Sequence, residues 1–317
     1  MKKIDLITGF LGSGKTTFLR KYLKYLISKG EKVCVLENDF GAVNVDMMLL
    51  SDLRGDNLEL EMVAGGCDSD CHKRRFKTKL IAMGMDDYTR IVIEPSGVFD
   101  VDEFFDCLYD EPLCNWYEIG SVISIVDGNF DDTLSDSAKA VLAGEVACAG
   151  KIVISKTQLY SNDTVQATKQ KIKSILAGLR CEREIDEDFI EKNWDELTDE
   201  DFEIVSEAGY KRSSFQKKIT DYDVFDTVCF LDEHLSTDEI LEFSNVIMKD
   251  SSLGNVFRVK GFSSLEEGWN EINVDKSSAN VKAIDEGQDV LIVIGEGLAE
   301  DKIKEILKKL RKQSRIK

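Results

Sequence analysis

The sequence predicts an α/β fold with a doubly wound, mostly parallel sheet, followed by a smaller α+β domain. Two observations support this prediction. In the first half of the chain, short apolar segments rich in Val and Ile alternate with helical patterns, whereas roughly the last hundred residues combine strands with fewer helices. Alternation of strands and helices indicates a parallel sheet covered on both faces, whose strands are nearly continuous in apolar character.

Six strands and two clear helices are predicted in the first domain. The first helix follows the first strand, because apolar residues recur there at helical spacing from Phe18 to Leu26 and Gly30 supplies a stop. A second helix is predicted over Asp163–Leu179, with Asn162 as its N-cap. The predicted strands are Ile4–Thr8, Val33–Glu37, Leu58–Met62, Ile91–Glu94, Ser121–Asp127 and Lys151–Ser155.

The second domain has a different pattern, typical of a mostly antiparallel sheet. We place the first domain at residues 1–209, a polar linker at 210–223 and the second domain at 224–317. The acidic segment Glu182–Glu207 is expected to be an exposed edge of the first domain. The predicted elements of the second domain are strands at Phe225–Leu231, Asn255–Val259 and Val290–Ile294, helices at Thr237–Met248 and Ala299–Leu310, and candidate strands at Trp269–Val274 and Val281–Ile284.

Composition and charge exclude several classes of function. The chain has 317 residues, 43% of them hydrophobic and 32% charged, with a formal net charge of −19. Proteins that bind nucleic acid usually present a basic face, so this charge argues against a nucleic-acid partner. No apolar segment approaches the roughly 20 residues of a membrane span, and no apolar run precedes the first strand as in a signal peptide. We therefore expect a cytoplasmic protein without a membrane partner.

A phosphate-binding motif joins the first strand to the first helix. Residues Gly9–Thr16 fit the pattern G-x-x-x-x-G-K-[ST] of a P-loop, which makes the first domain a P-loop NTPase. The glycines let backbone N–H groups turn towards phosphates, and the helix N-terminus adds positive potential. Lys15 is expected to reach the β and γ phosphates, and Thr16 to offer its hydroxyl to Mg²⁺. The predicted nucleotide-binding residues here are Gly9, Gly12, Ser13, Gly14, Lys15, Thr16 and Thr17.

A second element is predicted near the γ-phosphate. The strand Arg90–Glu94 ends in Pro-Ser-Gly, so that Glu94 lies at a strand end and Gly97 just beyond it. An acid in this place can orient a metal-bound water, and the N–H of Gly97 can contact the γ-phosphate. We therefore predict Lys15, Glu94 and Gly97 as catalytic residues, and a conformation that depends on the γ-phosphate would act as a switch.

Several segments together resemble the CobW-type metallochaperone GTPases, which are related to the UreG and HypB nickel-insertion GTPases. The resembling segments are ITGFLGSGKTT, LENDFGAVNVD, IVIEPSGVFD, SVISIVDG and KIVISKTQL, with FRVKGF and VLIVIGEGLAEDKI in the second domain. The resemblance covers nearly the whole chain in order. It implies a GTPase that couples hydrolysis to metal delivery, or to assembly of a metal- or cobalamin-dependent enzyme.

The resemblance also implies roles for particular residues and partners. Glu37 and Asp39 would lie in a first switch and contribute to coordination of Mg²⁺ or another metal, and Glu94 and Gly97 would form the second switch. The expected partners are GTP or ATP and a client metalloprotein, with a second copy of the chain as a candidate. Because no arginine is evidently placed to complete the site, we expect slow intrinsic hydrolysis.

The family's Cys-x-Cys-Cys motif is altered in this sequence. The corresponding stretch is Gly65–His72, where Cys67 aligns with the first cysteine of the motif and Cys71 follows one residue late. Cys67, Cys71 and His72 are suitable ligands for Zn²⁺ or another divalent transition metal, with Asp70 or Glu37 as a fourth. If the segment is helical from Asp70 on, Cys71 and His72 point about 100° apart, which disfavours shared ligation. A loop with no role in metal binding is the alternative.

The base-recognition motif is altered as well. GTPases of this class read guanine with Asn-Lys-x-Asp, and the corresponding residues here are Ser155, Lys156, Thr157 and Gln158. Lys156 can lie along the plane of the base, but Gln158 lacks the charged, bidentate carboxylate that accepts two guanine hydrogen bonds. Loss of that pair should weaken guanine preference by roughly 1.5–3 kcal/mol. We therefore predict relaxed or altered base specificity.

Two other functions stay open from the sequence. One is a nucleotide-gated assembly factor that binds no metal, which the altered cysteine segment leaves open. The other is a P-loop small-molecule kinase, for which Lys73–Lys79 is the candidate lid. The resemblance argues against the kinase.

Overall fold

The computed structural model describes residues 1–39, 46–64, 69–97, 99–130, 134–213, 225–276, 278–284 and 287–314. The chain divides into two units, Met1–Thr220 and Asp221–Lys317. Most of the predicted linker at 210–223 lies outside the described residues. Its first residues belong to the first unit: Tyr210 forms a β-bridge with Ala149, and the Lys211 N–H donates to the Cys148 carbonyl at 2.9 Å.

The first unit contains a fully parallel sheet of seven strands in the order β3-β2-β4-β1-β5-β6-β7. All six predicted strands are present, and the predicted α/β doubly wound fold is confirmed. The short seventh strand lies at the sheet edge, within the segment predicted to be an exposed edge. The strands are β1 (Lys2–Thr8), β2 (Val33–Asp39), β3 (Leu58–Ala64), β4 (Arg90–Pro95), β5 (Tyr117–Asp127), β6 (Lys151–Ser155) and β7 (Phe189–Ile190).

Helices connect these strands. The apolar face of the first helix is buried as predicted, from Phe18 to Leu26. The predicted cap of the sixth helix is wrong: the extended residue Ser161 is the N-cap, its hydroxyl accepts from the Thr164 N–H, and Asn162 is already helical. The helices are α1 (Lys15–Ser28), α2 (Ser69–Met85), α3 (Val101–Tyr109), α4 (Leu113–Trp116), α5 (Asp136–Cys148), α6 (Asn162–Gly178) and α7 (Asp199–Ser206).

A buried ion pair ties the central strands together away from the phosphate loop. Asp5 on β1 accepts from the Arg90 guanidinium at 2.7 Å and from the Tyr22 hydroxyl at 2.9 Å. Its other oxygen accepts from the Ser121 N–H at 2.8 Å. Burial raises the pKa of Asp5, against the opposing effect of Arg90. The carboxylate therefore joins β1, β4, β5 and α1 through one desolvated group.

The second unit is an antiparallel sheet of five strands in the order β11-β10-β9-β12-β8. Both candidate strands of the sequence analysis are present, as β10 and β11. Side chains of the two helices and of the central strands form a common apolar core, with Phe243 and Val259 fully buried in it. The elements are β8 (Phe225–Leu231), α8 (Thr237–Lys249), β9 (Asn255–Ser264), β10 (Trp269–Asp275), β11 (Ala279–Ile284), β12 (Val290–Glu296) and α9 (Glu300–Ser314).

Within the ranges that the structure describes, no helix has both the length and the apolar character needed to cross a membrane.

Candidate functional site

The loop between β1 and α1 has the backbone that a phosphate site requires. Gly14 caps α1 in the left-handed region, with φ 99° and ψ 21°, a conformation that favours glycine. The Lys15 side chain is 8% exposed, and its ammonium donates to the Gly9 carbonyl at 2.8 Å. The ammonium is therefore held beside the loop, where the sequence predicts that it meets the β and γ phosphates.

Thr16 and Glu94 meet at the carboxyl edge of the sheet. β1 and β4 are neighbouring parallel strands, so the loop after β1 and the end of β4 lie at the same edge. The Thr16 hydroxyl donates to Glu94 Oε1 at 2.7 Å, and Glu94 is buried. A hydroxyl and a carboxylate are the oxygen ligands that Mg²⁺ prefers. The two side chains predicted to contact the metal and its water therefore lie together, and their chemistry fits the ion.

Glu37 lies directly opposite Glu94. The two residues are register partners on the parallel strands β2 and β4, and both are buried. Register partners point to the same face of a sheet, so the acids of the two predicted switches are adjacent. Asp39 ends β2, but its side chain and residues 40–45 are not among the parts of the chain that the structure describes.

Gly97 packs directly on the phosphate loop. A Cβ at this position would lie 2.6 Å from the backbone nitrogen of Leu11, which is closer than any side chain tolerates. Glycine is therefore required for the chain after β4 to approach the loop. The backbone of the predicted second switch contacts the phosphate loop at Leu11.

The predicted binding site for the nucleotide base contains a lysine that is held by an ion pair and a glutamine whose amide is exposed. Lys156 has a φ of 56°, and its ammonium pairs with Asp127 Oδ2 at 2.7 Å. Asp127 ends β5 and is the register partner of Ser155 at the end of β6. Gln158 is exposed on the turn Thr157–Leu159 that follows. The exposed position leaves its amide accessible to a ligand.

Sequence reasoning did not place Trp194 or Glu145 in the site. The Trp194 indole N–H donates to the Ile154 carbonyl at 3.0 Å, and the ring packs edge-on against Phe18 with 5.4 Å between centroids. A Cβ on Gly14 would lie 3.1 Å from this ring. Trp194 is therefore a packing residue that lies against the phosphate loop itself.

Glu145 is a fully buried carboxyl on α5 beside the start of the loop. Its Oε1 accepts from the Thr8 hydroxyl at 2.9 Å. Burial raises the pKa of Glu145 to about 7, while Lys15, Thr8 and the Gly9 N–H act to lower it. The only hint in the sequence is an acid within the otherwise apolar run Ala140–Cys148.

The predicted metal segment is only partly described. Cys67 lies outside the described residues, and so does its neighbour Asp68. α2 begins at Ser69, so Cys71 and His72 are consecutive helical residues that point about 100° apart. His72 is 1% exposed, and its Nε2 lies 2.6 Å from Asn38 Oδ1. Ligation through that nitrogen would require breaking this hydrogen bond.

The described residues contain no group of three or more His, Cys, Asp or Glu side chains arranged to hold a metal ion. Because Cys67 lies outside these residues, the predicted ligand set of Cys67, Cys71 and His72 stays a prediction.

Comparison with known proteins gives consistent results. A family model described as CobW/HypB/UreG, nucleotide-binding domain, matches residues 3–183. The zinc chaperone YjiA of Escherichia coli K12 is 30% identical over 163 residues, which cover 49% of each chain. The zinc chaperone YeiR of the same organism is 29% identical over 173 residues, covering 54% of this chain and 51% of YeiR.

A longer match extends into the second unit. The zinc-regulated GTPase metalloprotein activator 1 of Dictyostelium discoideum is 26% identical over 300 residues, covering 82% of this chain and 62% of that protein. The chain spans about half the length of the two Escherichia coli relatives that it matches.

Proposed function

Because the chain belongs to the CobW/HypB/UreG family of nucleotide-binding proteins, we propose that it is a GTPase whose hydrolysis acts as a switch in metal delivery or metalloenzyme assembly. The observation that supports this most directly is the hydrogen bond between Thr16 and Glu94 at the phosphate loop. It joins the residue predicted to bind Mg²⁺ to the acid of the second switch. Relatives named as zinc chaperones and as a zinc-regulated GTPase metalloprotein activator support the same role.

The chemistry on the nucleotide is positioning and charge stabilisation. Lys15 neutralises charge on the β and γ phosphates, and the backbone N–H groups of the loop orient them. Thr16 and Glu94 would hold Mg²⁺ and its water, and a bound ion would supply positive charge beside the phosphate oxygens. None of the described site residues named above is an arginine, so we expect slow turnover until a partner completes the site.

The two switch segments respond to the γ-phosphate together. Glu37 and Glu94 are register partners, and Gly97 packs on the loop at Leu11. A γ-phosphate that contacts the Gly97 N–H therefore fixes the end of β4 and, through the adjacent acids, the end of β2. Hydrolysis of GTP removes that contact, and a client metalloprotein responds to the changed conformation of the two switch segments.

The cargo of the switch is a divalent transition metal, of which Zn²⁺ is the first candidate because relatives are named for it. Glu37, Cys67 and Cys71 provide a carboxylate and two thiols, a donor set that suits zinc. His72 is a further candidate, and ligation through its Nε2 would break the hydrogen bond to Asn38. We place the protein in the cytoplasm, where thiols stay reduced.

Phosphate release from GTP tests the enzymatic part of the proposal. Purified protein with Mg²⁺ and GTP should release inorganic phosphate, and Lys15→Ala should slow this release by at least about 100-fold. Lys24→Ala is the matched control, since Lys24 is exposed on the same helix. Transfer of the phosphate to a small acceptor instead of water would favour the kinase and refute the proposal.

Equilibrium dialysis tests the cargo. With Zn²⁺, Co²⁺ or Ni²⁺, with and without nucleotide, we expect one ion per chain and loss of binding in Cys67→Ala. Cys114→Ala is the control, because Cys114 lies on α4, outside the proposed site. Absence of stoichiometric binding in all conditions would eliminate metal delivery and leave the metal-free assembly factor.

A further inference from the structure

Glu145 is a buried acid that the proposed chemistry does not use. It belongs to α5, whose other buried residues are small or aliphatic, among them Ala143 and Val146. The Glu145 side chain is completely inaccessible. Fully buried carboxyls are uncommon because the desolvation of the charge is costly, so this position calls for a physical explanation.

The carboxyl group contacts the residues where the phosphate loop begins. Thr8 Oγ1 donates to Glu145 Oε1 at 2.9 Å, and the Gly9 N–H also bonds to the carboxyl. On its other side Gly9 accepts from the Lys15 ammonium at 2.8 Å. One acid and one base thus hold the same glycine, through its N–H and its carbonyl.

The second oxygen of the carboxyl differs from the first. Glu145 Oε2 is buried and has no hydrogen-bond partner among the described residues. An ionised oxygen buried without a donor is strongly disfavoured, whereas a protonated one costs less. Oε2 is therefore the atom on which a proton would reside.

Few ionisable groups act on this carboxyl in the described part of the chain. Lys15 on α1 favours the charged form of Glu145, and the hydrogen bonds from Thr8 and Gly9 act in the same direction. On α5 itself, the Cys148 thiol has a pKa raised first by its own burial and then by Glu145. Burial outweighs these effects and raises the pKa of Glu145 to about 7.

We propose that Glu145 is a positioning residue that holds the start of the phosphate loop and takes up a proton at Oε2 when a nucleoside triphosphate binds. The proton comes from solvent, and the only bond formed is the O–H bond of the carboxylic acid. The phosphates add negative charge beside the loop. They also pair with Lys15, which weakens the attraction between Lys15 and the Glu145 carboxylate. Both effects favour the neutral form of Glu145. This inference rests on the proposed function, since it requires the loop to bind nucleotide.

Proton uptake makes nucleotide affinity depend on pH. Between the pKa of the free protein and the higher pKa of the complex, affinity falls as pH rises, by about tenfold from pH 6 to pH 8 if the complex titrates two units higher. Glutamine is close in shape to glutamic acid, accepts the same two hydrogen bonds and cannot take up a proton. Glu145→Gln should therefore lose this dependence of affinity on pH.

Calorimetric titration of a non-hydrolysable GTP analogue with Mg²⁺, in two buffers of different ionisation enthalpy, measures the protons taken up. We expect wild type to take up close to one proton more than Glu145→Gln at about pH 8, and little more at about pH 6. Glu182→Gln removes an exposed acid and should match wild type. Protonation of the analogue itself contributes equally to all three proteins and cancels in the difference.

Equal proton uptake by wild type and Glu145→Gln would overturn the inference. If the variant fails to fold, infrared difference spectra of wild type on nucleotide binding decide the matter: a new carboxylic-acid C=O band supports the inference, and its absence refutes it. Nucleotide binding without proton uptake refutes only this inference. Failure of wild type to bind any nucleoside triphosphate refutes the proposed function with it.

Discussion

Replacing Glu145 by glutamine should stabilise the protein at alkaline pH, without any ligand. Burial raises the pKa of Glu145 from 4.5 to about 7. At roughly 1.4 kcal/mol per pKa unit, the ionised carboxylate lowers the free energy of unfolding by about 3 kcal/mol above pH 7. Because the folded pKa is the higher one, this loss develops as pH rises from about 4.5 to about 7. Glutamine has no charge to bury, so the Glu145→Gln variant does not suffer this loss of stability.

Urea unfolding of wild type and Glu145→Gln between about pH 5.5 and pH 8.5 tests this directly. The stability advantage of the variant should grow by about 2 kcal/mol over that range and level off at about 3 kcal/mol. Glu182→Gln should follow wild type throughout, since Glu182 is exposed. A variant that is less stable than wild type at pH 8.5 would refute the reasoning, because it would mean that an ionised Glu145 stabilises the fold through Lys15.

Other substitutions test the remaining parts of the account. Lys15→Ala should lower the rate of phosphate release from GTP by at least about 100-fold; a change below about tenfold would show that Lys15 does not contact the transferred phosphate. Gln158→Asp should raise the ratio of GTP to ATP affinity by roughly 10- to 100-fold in competition binding, and an unchanged ratio would mean that another group reads the base. Asp5→Asn should cost about 3–5 kcal/mol in urea unfolding by removing the buried carboxylate that pairs with Arg90; a loss below about 1 kcal/mol would contradict the buried ion pair as a tie between strands.

The sequence predicts those parts of the site whose residues lie together in one continuous segment of the chain. The loop Gly9–Thr16 is one motif, and parallel strands that are buried on both faces are recognisable from their apolar composition alone. Thr16 and Glu94 are 78 residues apart, yet their proximity was predictable, because adjacent parallel strands end at the same edge of a sheet.

Contacts without a local pattern could not be predicted. Glu145 and Thr8 are separated by 137 residues, and nothing in the helical run around Glu145 indicates which strand end it meets. The two-residue strand Phe189–Ile190 is too short for any periodicity. Ser161 and Asn162 are both good N-cap residues, so only the backbone geometry distinguishes the cap from the first helical residue.

The central claim is that GTP hydrolysis changes the conformation of the two switch segments. Measuring how well ordered these segments are with each nucleotide tests it most directly. Hydrogen exchange should be measured on the backbone amides of residues 37–45 and 94–100, with Mg²⁺ and either a GTP analogue or GDP. We predict slower exchange in both segments with the GTP analogue, because the γ-phosphate holds Gly97 against the phosphate loop. Equal exchange with the two nucleotides would contradict the claim that hydrolysis at this site operates a switch.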